Sequence, residues 1–190
     1  MRRMLLATLV LASFMLQPRW VAAEPVMAAP FVTVGVGDTF TIPISIAGAT
    51  DLTSWQFDLA FDPAIVRAES VTEGPFMSAF GATLFTPGII DNLSGLISLV
   101  ADSYVDLPPN PFGDGVLANI EFTALAPGVS PLTLASVFLN DLDSGFQATN
   151  GQVTVTGRAA VPEPTTLTLL GLGLATSLAL HARRRRGRRS

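Results

Sequence analysis

The middle of the chain alternates apolar and polar residues with a period of two, and this pattern restricts its fold more than any other feature. The alternation places four apolar side chains on one side of residues 38–47: Phe40, Ile42, Ile44 and Ile46. It places four more on one side of residues 52–61: Trp55, Phe57, Leu59 and Phe61. Because successive side chains of a strand point to opposite faces, such runs predict strands with one buried face.

The same pattern continues toward the end of the chain. Within residues 116–124 it predicts Val116, Ile120 and Phe122 as buried, and it predicts alternating burial again at 132–139 and 153–155. Gly, Asn, Asp and Pro recur between these runs as turn signals, and the only helix candidate is a short one at 75–80. Short alternating strands with frequent turns predict an all-β sandwich or barrel.

Charge is distributed very unevenly along the 190 residues. All eleven basic residues are arginines, and only Arg67 and Arg158 fall within residues 24–160. That segment holds fourteen of the fifteen acids and therefore carries a net charge of −12. Such a domain should repel nucleic acid and anionic membranes and could bind cations, basic partners or neutral glycans, although solubility alone also explains the charge. The chain has no cysteine, so its stability depends on the hydrophobic core alone.

The N-terminus has the three parts of a secretory signal. Arg2 and Arg3 precede an apolar run at 5–16, and small residues stand at the end of the segment, before Glu24. This order predicts a signal helix in residues 1–23, removed by cleavage after Ala23. We expect residues 24–30 to be a linker into the domain.

The C-terminus also has three parts. A linker at 157–164 contains Pro162, Glu163 and Pro164, and an uncharged apolar run of sixteen residues follows at 165–180. Six arginines then lie within residues 183–190: Arg183, Arg184, Arg185, Arg186, Arg188 and Arg189. The apolar run, extended to residue 182, predicts a short transmembrane helix. The positive-inside rule places the arginines in the cytoplasm and the domain outside.

The order Pro-Glu-Pro, apolar helix, arginine cluster closely resembles the PEP-CTERM sorting signal of Gram-negative bacteria. Pro162, Glu163 and Pro164 are the matching residues. The resemblance implies that the protein passes the secretion translocon and is processed by exosortase, a membrane protease-transferase. It implies that the C-terminal helix anchors the protein in the membrane, at least transiently, before the protein passes to the cell surface or to the exopolysaccharide matrix. An ordinary C-terminal membrane anchor is the alternative.

Four phrases in the middle segment resemble cohesin domains. Gly37-Asp38 opens a Thr-Phe-Thr-Ile-Pro-Ile run, and an alternating strand ends in Asp62-Pro63. Similar phrases follow at 115–124 and 150–155. The resemblance implies a nine-stranded jelly-roll sandwich over residues 31–156, related to bacterial carbohydrate-binding modules. Cellulosomal cohesins bind dockerins, but this chain contains no dockerin-like repeat.

Catalytic residues are hard to find in this sequence. The only histidine, His181, lies in the apolar tail, and cysteine and lysine are absent. Paired carboxylates could support glycoside hydrolysis, but the candidates are scattered over strands and turns: Asp58, Asp62, Glu69 and Glu121. We therefore expect no enzyme activity and keep a glycoside hydrolase as a remote alternative.

Two small groups of residues are candidates for ligand binding. Asp141 and Asp143 lie in a turn rich in oxygen ligands, which suits Ca²⁺, although a solvated hairpin turn explains the same residues; no other cofactor is expected. Tyr104 and Phe112 flank a proline-rich loop and could stack on sugar rings, whereas Trp55 belongs to the buried face of its strand.

Taken together, these features predict a non-enzymatic protein of the cell surface or exopolysaccharide matrix. A carbohydrate-binding module, or a module that binds a protein partner as cohesins do, is the alternative.

Overall fold

A computed structural model of the chain describes residues 24–140, 146–157 and 172–174. Residues up to Gly157 form one compact unit, and Arg158–Ser190 form a second, in which residues 172–174 are helical. Within the described ranges, no helix has the length and apolar character needed to cross a membrane. The predicted signal helix and the predicted transmembrane helix lie in the undescribed parts, apart from residues 172–174.

The described residues of the first unit form eleven strands and one short helix. The strands are β1 (Val26–Ala28), β2 (Phe31–Gly35), β3 (Thr39–Ala49), β4 (Ser54–Ala60), β5 (Val66–Glu73), β6 (Ile89–Asp91), β7 (Leu96–Ser103), β8 (Gly113–Ala124), β9 (Gly128–Leu139), β10 (Gln147–Thr149) and β11 (Gly151–Thr156). The helix α1 spans Pro75–Ser78. A five-stranded sheet has the order β10-β1-β3-β8-β5, and a six-stranded sheet has the order β2-β11-β9-β4-β7-β6. The predicted all-β sandwich is confirmed.

The predicted count of nine strands and the observed eleven describe the same chain path. β1 pairs with β10 in one sheet, and β2 pairs with β11 in the other, both parallel. The register is continuous across the break, since Ala28 lies opposite Thr149 and Phe31 opposite Gln152. Each terminal segment is thus one strand that crosses between the sheets, and counting each once leaves nine.

The prediction of a linker at residues 24–30 is wrong at its centre, where the structure has a strand. Residues 26–28 form β1, which pairs with both β3 and β10, and Met27 is completely buried. Two prolines and two alanines make the segment resemble a linker. Pairing with β3 and β10, however, provides hydrogen bonds for its backbone, and the side chain of Met27 fills space in the core.

The core lies between the sheets and follows the predicted alternation. Ile42, Ile44 and Ile46 are buried on β3, while Phe40 is half-buried and stacks on Phe122. Trp55, Phe57, Leu59 and Phe61 are all buried. The prediction for Val116 is wrong, because a register shift between β3 and β8 buries Leu117 instead.

One asparagine joins the two sheets at an edge. Asn92, in the turn between β6 and β7, accepts a hydrogen bond from Ala68 N and donates one to Ala68 O, both at 2.9 Å. Its side-chain amide thus pairs with the edge strand β5 in the way that another strand would.

The strand directions place several connections together at one end of the sandwich. Residues 50–53, 74–88 and 104–112 lie there, beside residue 24, and we call it the loop end. The chain leaves the sandwich at the other end, after β11. All buried apolar side chains of the described part belong to residues 27–155, so residues 24–157 contain a complete core and fold as a unit.

Candidate functional site

The outer surface of the six-stranded sheet carries large apolar side chains that face solvent. We call this surface the apolar face; its large exposed residues are Phe31, Ile89, Leu96, Leu99, Val129 and Phe138. Their exposed fractions range from 36% to 73%. Exposed apolar side chains are ordinary when scattered, but a group on one sheet face marks an interaction surface.

Two bulges shape the centre of the apolar face. The register of β4 shifts against β7 near Asp58 and against β9 near Phe57. At these shifts Leu99 and Ser136 adopt positive φ values of 61° and 47°. Asp58 Oδ1 accepts a hydrogen bond from Leu99 N at 2.8 Å, and Leu99 remains 53% exposed. The strained backbone of Leu99, which is not a glycine, therefore directs an apolar side chain toward solvent.

The outer surface of the five-stranded sheet has the opposite character. Its shallow depression of about 370 Å³ is lined by Thr41, Ser70, Thr72, Asn119 and Glu121. Ser70 Oγ donates to Glu121 Oε2 at 3.2 Å, and no aromatic side chain lines the depression. Such a surface of hydroxyl, amide and carboxylate groups is well solvated, which leaves the apolar face as the better docking surface.

A second apolar surface lies at the loop end, where α1 meets the start of β8. This aromatic pit has a volume of about 320 Å³ and is lined by Pro75, Phe76, Ala79, Phe80, Phe112, Asp114, Gly115 and Val116. The rings of Phe80 and Phe112 meet edge to face, with centroids 5.3 Å apart. Gly115 is needed for this packing, since a Cβ there would lie 2.4 Å from the ring of Phe76.

The predicted ligand-surface pair divides into two roles. The hydroxyl of Tyr104 lies 3.2 Å from both Phe80 O and Leu107 O, so it links the two connections of the loop end. Phe112 is 60% exposed and forms a wall of the pit. Tyr104 and Phe112 both contact Phe80. Of the two, Phe112 is the one whose ring is exposed to a ligand.

A buried carboxylate lies below the loop end. Asp102 points into the core from β7, directly opposite Trp55 on β4, and is 2% exposed. The pKa of Asp102 is raised to about 6, first by burial and then by the nearby charge of Glu73, while the backbone N–H groups of Ser103 and Leu84 oppose the shift. Trp55 Nε1 is also buried and has no hydrogen-bond partner among the described residues.

The four carboxylates considered for hydrolysis do not converge. Asp58 holds Leu99, Asp62 accepts from Ala64 N at a turn, Glu69 pairs with Arg67 at 2.9 Å, and Glu121 accepts from Ser70. Each therefore has a structural contact of its own.

Several predicted sites lie outside the described residues. These are Ala23, the calcium candidates Asp141 and Asp143, the sorting residues 162–164 and the arginines of 183–189. Within the described ranges, no three acidic or histidine side chains are grouped to hold a metal ion. The calcium site and the cleavage sites therefore stay predictions.

Sequence reasoning missed Leu99 and Asp102. Leu99 occurs in an apolar strand and gave no sign of the bulge that turns it outward. Asp102 could have been found, because it continues the buried alternation of Val100 on the same strand.

Solved structures of similar fold include several cohesins. A non-cellulosomal cohesin from Archaeoglobus fulgidus is 21% identical, with a TM-score of 0.55 over 70% of this chain and 92% of that one. The second type II cohesin module of the ScaA scaffoldin from Acetivibrio cellulolyticus is 17% identical, with a TM-score of 0.59 over 70% and 95%. A type I cohesin–dockerin complex from Clostridium thermocellum matches at 16% identity, with a TM-score of 0.57 over 75% and 100%.

No curated protein matches the chain. The PEP-CTERM protein-sorting motif matches residues 160–186. The cohesin domain matches residues 27–158, which is more than half of the chain. This chain therefore belongs to the cohesin-domain family and ends in a PEP-CTERM sorting motif.

Proposed function

We propose that this protein is a non-enzymatic docking module, exported and displayed at the cell surface, whose apolar face binds a separate protein. Its partner is a dockerin-type module, and the PEP-CTERM tail supplies the sorting. The contrast between the two sheet surfaces carries the proposal.

That contrast has a direct energetic meaning. Leu99, Ile89 and Phe138 stand on a surface whose burial against a partner removes apolar area from water, at about 25 cal/mol per Å². The hydroxyl-rich surface of the other sheet gains little from burial, because each polar group must be paired again. The apolar face is therefore where association is favourable.

Similar structures support the choice of partner. Cohesins of Acetivibrio cellulolyticus and Clostridium thermocellum were solved in complex with dockerins. These cohesins share the sandwich at 15% identity, so the likeness supports the mode of binding rather than a particular dockerin. The present chain has no dockerin-like repeat, so its partner is another chain.

Leu99 offers the sharpest test of docking. In a Leu99→Asn variant the backbone is preserved, because asparagine tolerates positive φ better than most residues, while the apolar side chain is lost. We expect binding of the host's dockerin-type protein to residues 24–157 to weaken about tenfold or more, as for a central interface residue. A matched Thr72→Asn variant on the other sheet should bind normally. Equal binding by both variants would contradict the proposal.

Delivery is tested separately, by mass spectrometry of the mature protein from its native host. We expect the C-terminal peptide to end near Pro162, Glu163 and Pro164, after exosortase processing in the membrane of a Gram-negative bacterium. A mature surface protein that still ends in Ser190 would refute processing but leave docking untouched.

Binding of exopolysaccharide is the second candidate function. The free ring of Phe112 beside Asp114 favours it, since aromatic rings stack on sugars. Saturable binding of residues 24–157 on a glycan array, lost in Phe112→Ala, would support this candidate; no saturable binding would remove it.

A further inference from the structure

The loop end combines an apolar pit with carboxylates and lacks cations. The acids of this end are Glu24, Asp51, Glu73, Asp102, Asp106 and Asp114. Arg67 is the only cationic side chain in the part of the chain that the structure describes; it lies at the start of β5, the far end of the sandwich, paired with Glu69. The potential around the pit is therefore negative.

Two of these carboxylates lie beside the pit. Asp114 lines it, and its Oδ1 accepts a hydrogen bond from Gly48 N at 2.7 Å. Asp106 lies next to Gly81, which follows Phe80, and accepts hydrogen bonds from Leu107 N and Ala82 N. Both carboxylates have neutral donors, and neither forms an ion pair among the described residues.

The surroundings of the pit are held in place before any ligand arrives. Tyr104 links the two connections through Phe80 and Leu107, and Asn110 Nδ2 donates to Asp51 Oδ1 at 2.8 Å. A rigid apolar site loses little conformational entropy on binding, which favours affinity.

We propose that the aromatic pit binds an apolar side chain of a cationic peptide segment from a protein partner. Its volume of about 320 Å³ suits one large side chain, and the rings of Phe80 and Phe112 provide edge and face contacts. Basic residues next to that anchor meet Asp114 and Asp106. The charge of −12 disfavours a second copy of the domain and an anionic membrane as occupants. This site is separate from the apolar face.

Fluorescence anisotropy with a short labelled peptide tests this site. The peptide has one central tryptophan flanked by arginines, and residues 24–157 are titrated into it. We expect Phe112→Ala to weaken binding about tenfold, since it removes a wall of the pit. Ala79→Leu, which fills the pit without removing a contact, should weaken it similarly. Asp114→Asn keeps the acceptor for Gly48 and should cost about two- to fivefold, with a smaller salt dependence.

Matched controls assign the binding to the pit. Phe31→Ala removes an exposed ring from the six-stranded sheet, and Glu121→Gln removes an exposed charge; both should leave the affinity for this peptide unchanged. A peptide with serine in place of tryptophan, or glutamates in place of arginines, should bind much more weakly. The proposal is overturned if the first peptide does not bind, if Phe112→Ala and Ala79→Leu bind it normally, or if Leu99→Asn abolishes binding instead.

Discussion

Replacing Asp102 with asparagine should stabilise the protein at neutral and alkaline pH. The carboxyl is buried opposite Trp55, and its pKa rises from 3.8 to about 6 on folding. The folded state therefore holds its proton more tightly than the unfolded state, so stability falls as pH rises from about 4 to about 6. Two pKa units correspond to about 3 kcal/mol, and we expect about 1–3 kcal/mol after solvent screening.

Chemical denaturation of residues 24–157 across pH measures this effect. The side-chain oxygen of the introduced asparagine can still accept from Ser103 N, which lies 2.8 Å from Asp102 Oδ1, so the substitution mainly removes the charge. Asp102→Asn should exceed the wild type in unfolding free energy at about pH 8, and the difference should vanish at about pH 4. Glu121→Gln, which alters an exposed carboxylate, serves as the control. A difference that does not change with pH, or a less stable variant at high pH, would refute the reasoning.

Two further substitutions test how the sandwich is held together. Asn92→Ala removes both hydrogen bonds to Ala68 and should lower the unfolding free energy by about 1–3 kcal/mol, whereas an unchanged denaturation midpoint would show that the amide does not join the sheets. Gly151→Ala places a Cβ about 2.2 Å from Pro30 O, where the terminal strands cross between sheets, and should destabilise by about 2 kcal/mol or more. Its control, Gly157→Ala, meets no atom nearer than 3.9 Å and should be neutral, so equal melting temperatures for the two variants would contradict the close approach.

The sequence predicted what depends on local periodicity. Trp55, Phe57 and Leu59 are buried as their alternation requires, and the short helix appears at Pro75–Ser78. For the strand residues, the period of the side chains alone decides burial, because one face of each strand must leave water.

Features that depend on register between distant strands could not be predicted. Leu117 replaces Val116 in the core because β8 shifts against β3, and Leu99 turns outward because β7 shifts against β4. The bulge at Leu99 has its positive φ at a leucine, so no glycine signalled it in the sequence. Met27 lies in the core because β1 pairs with β10, which follows it in the chain by more than a hundred residues.

Site-specific photo-crosslinking on intact cells of the native host directly tests docking through the apolar face. A photoreactive residue in place of Leu99 should form one defined crosslinked species containing a dockerin-type protein, while the same residue in place of Thr72 should form none. Surface display is tested at the same time, because protease added outside the cells should remove the product. Crosslinking from Thr72 but not from Leu99, or from neither position, would contradict the account.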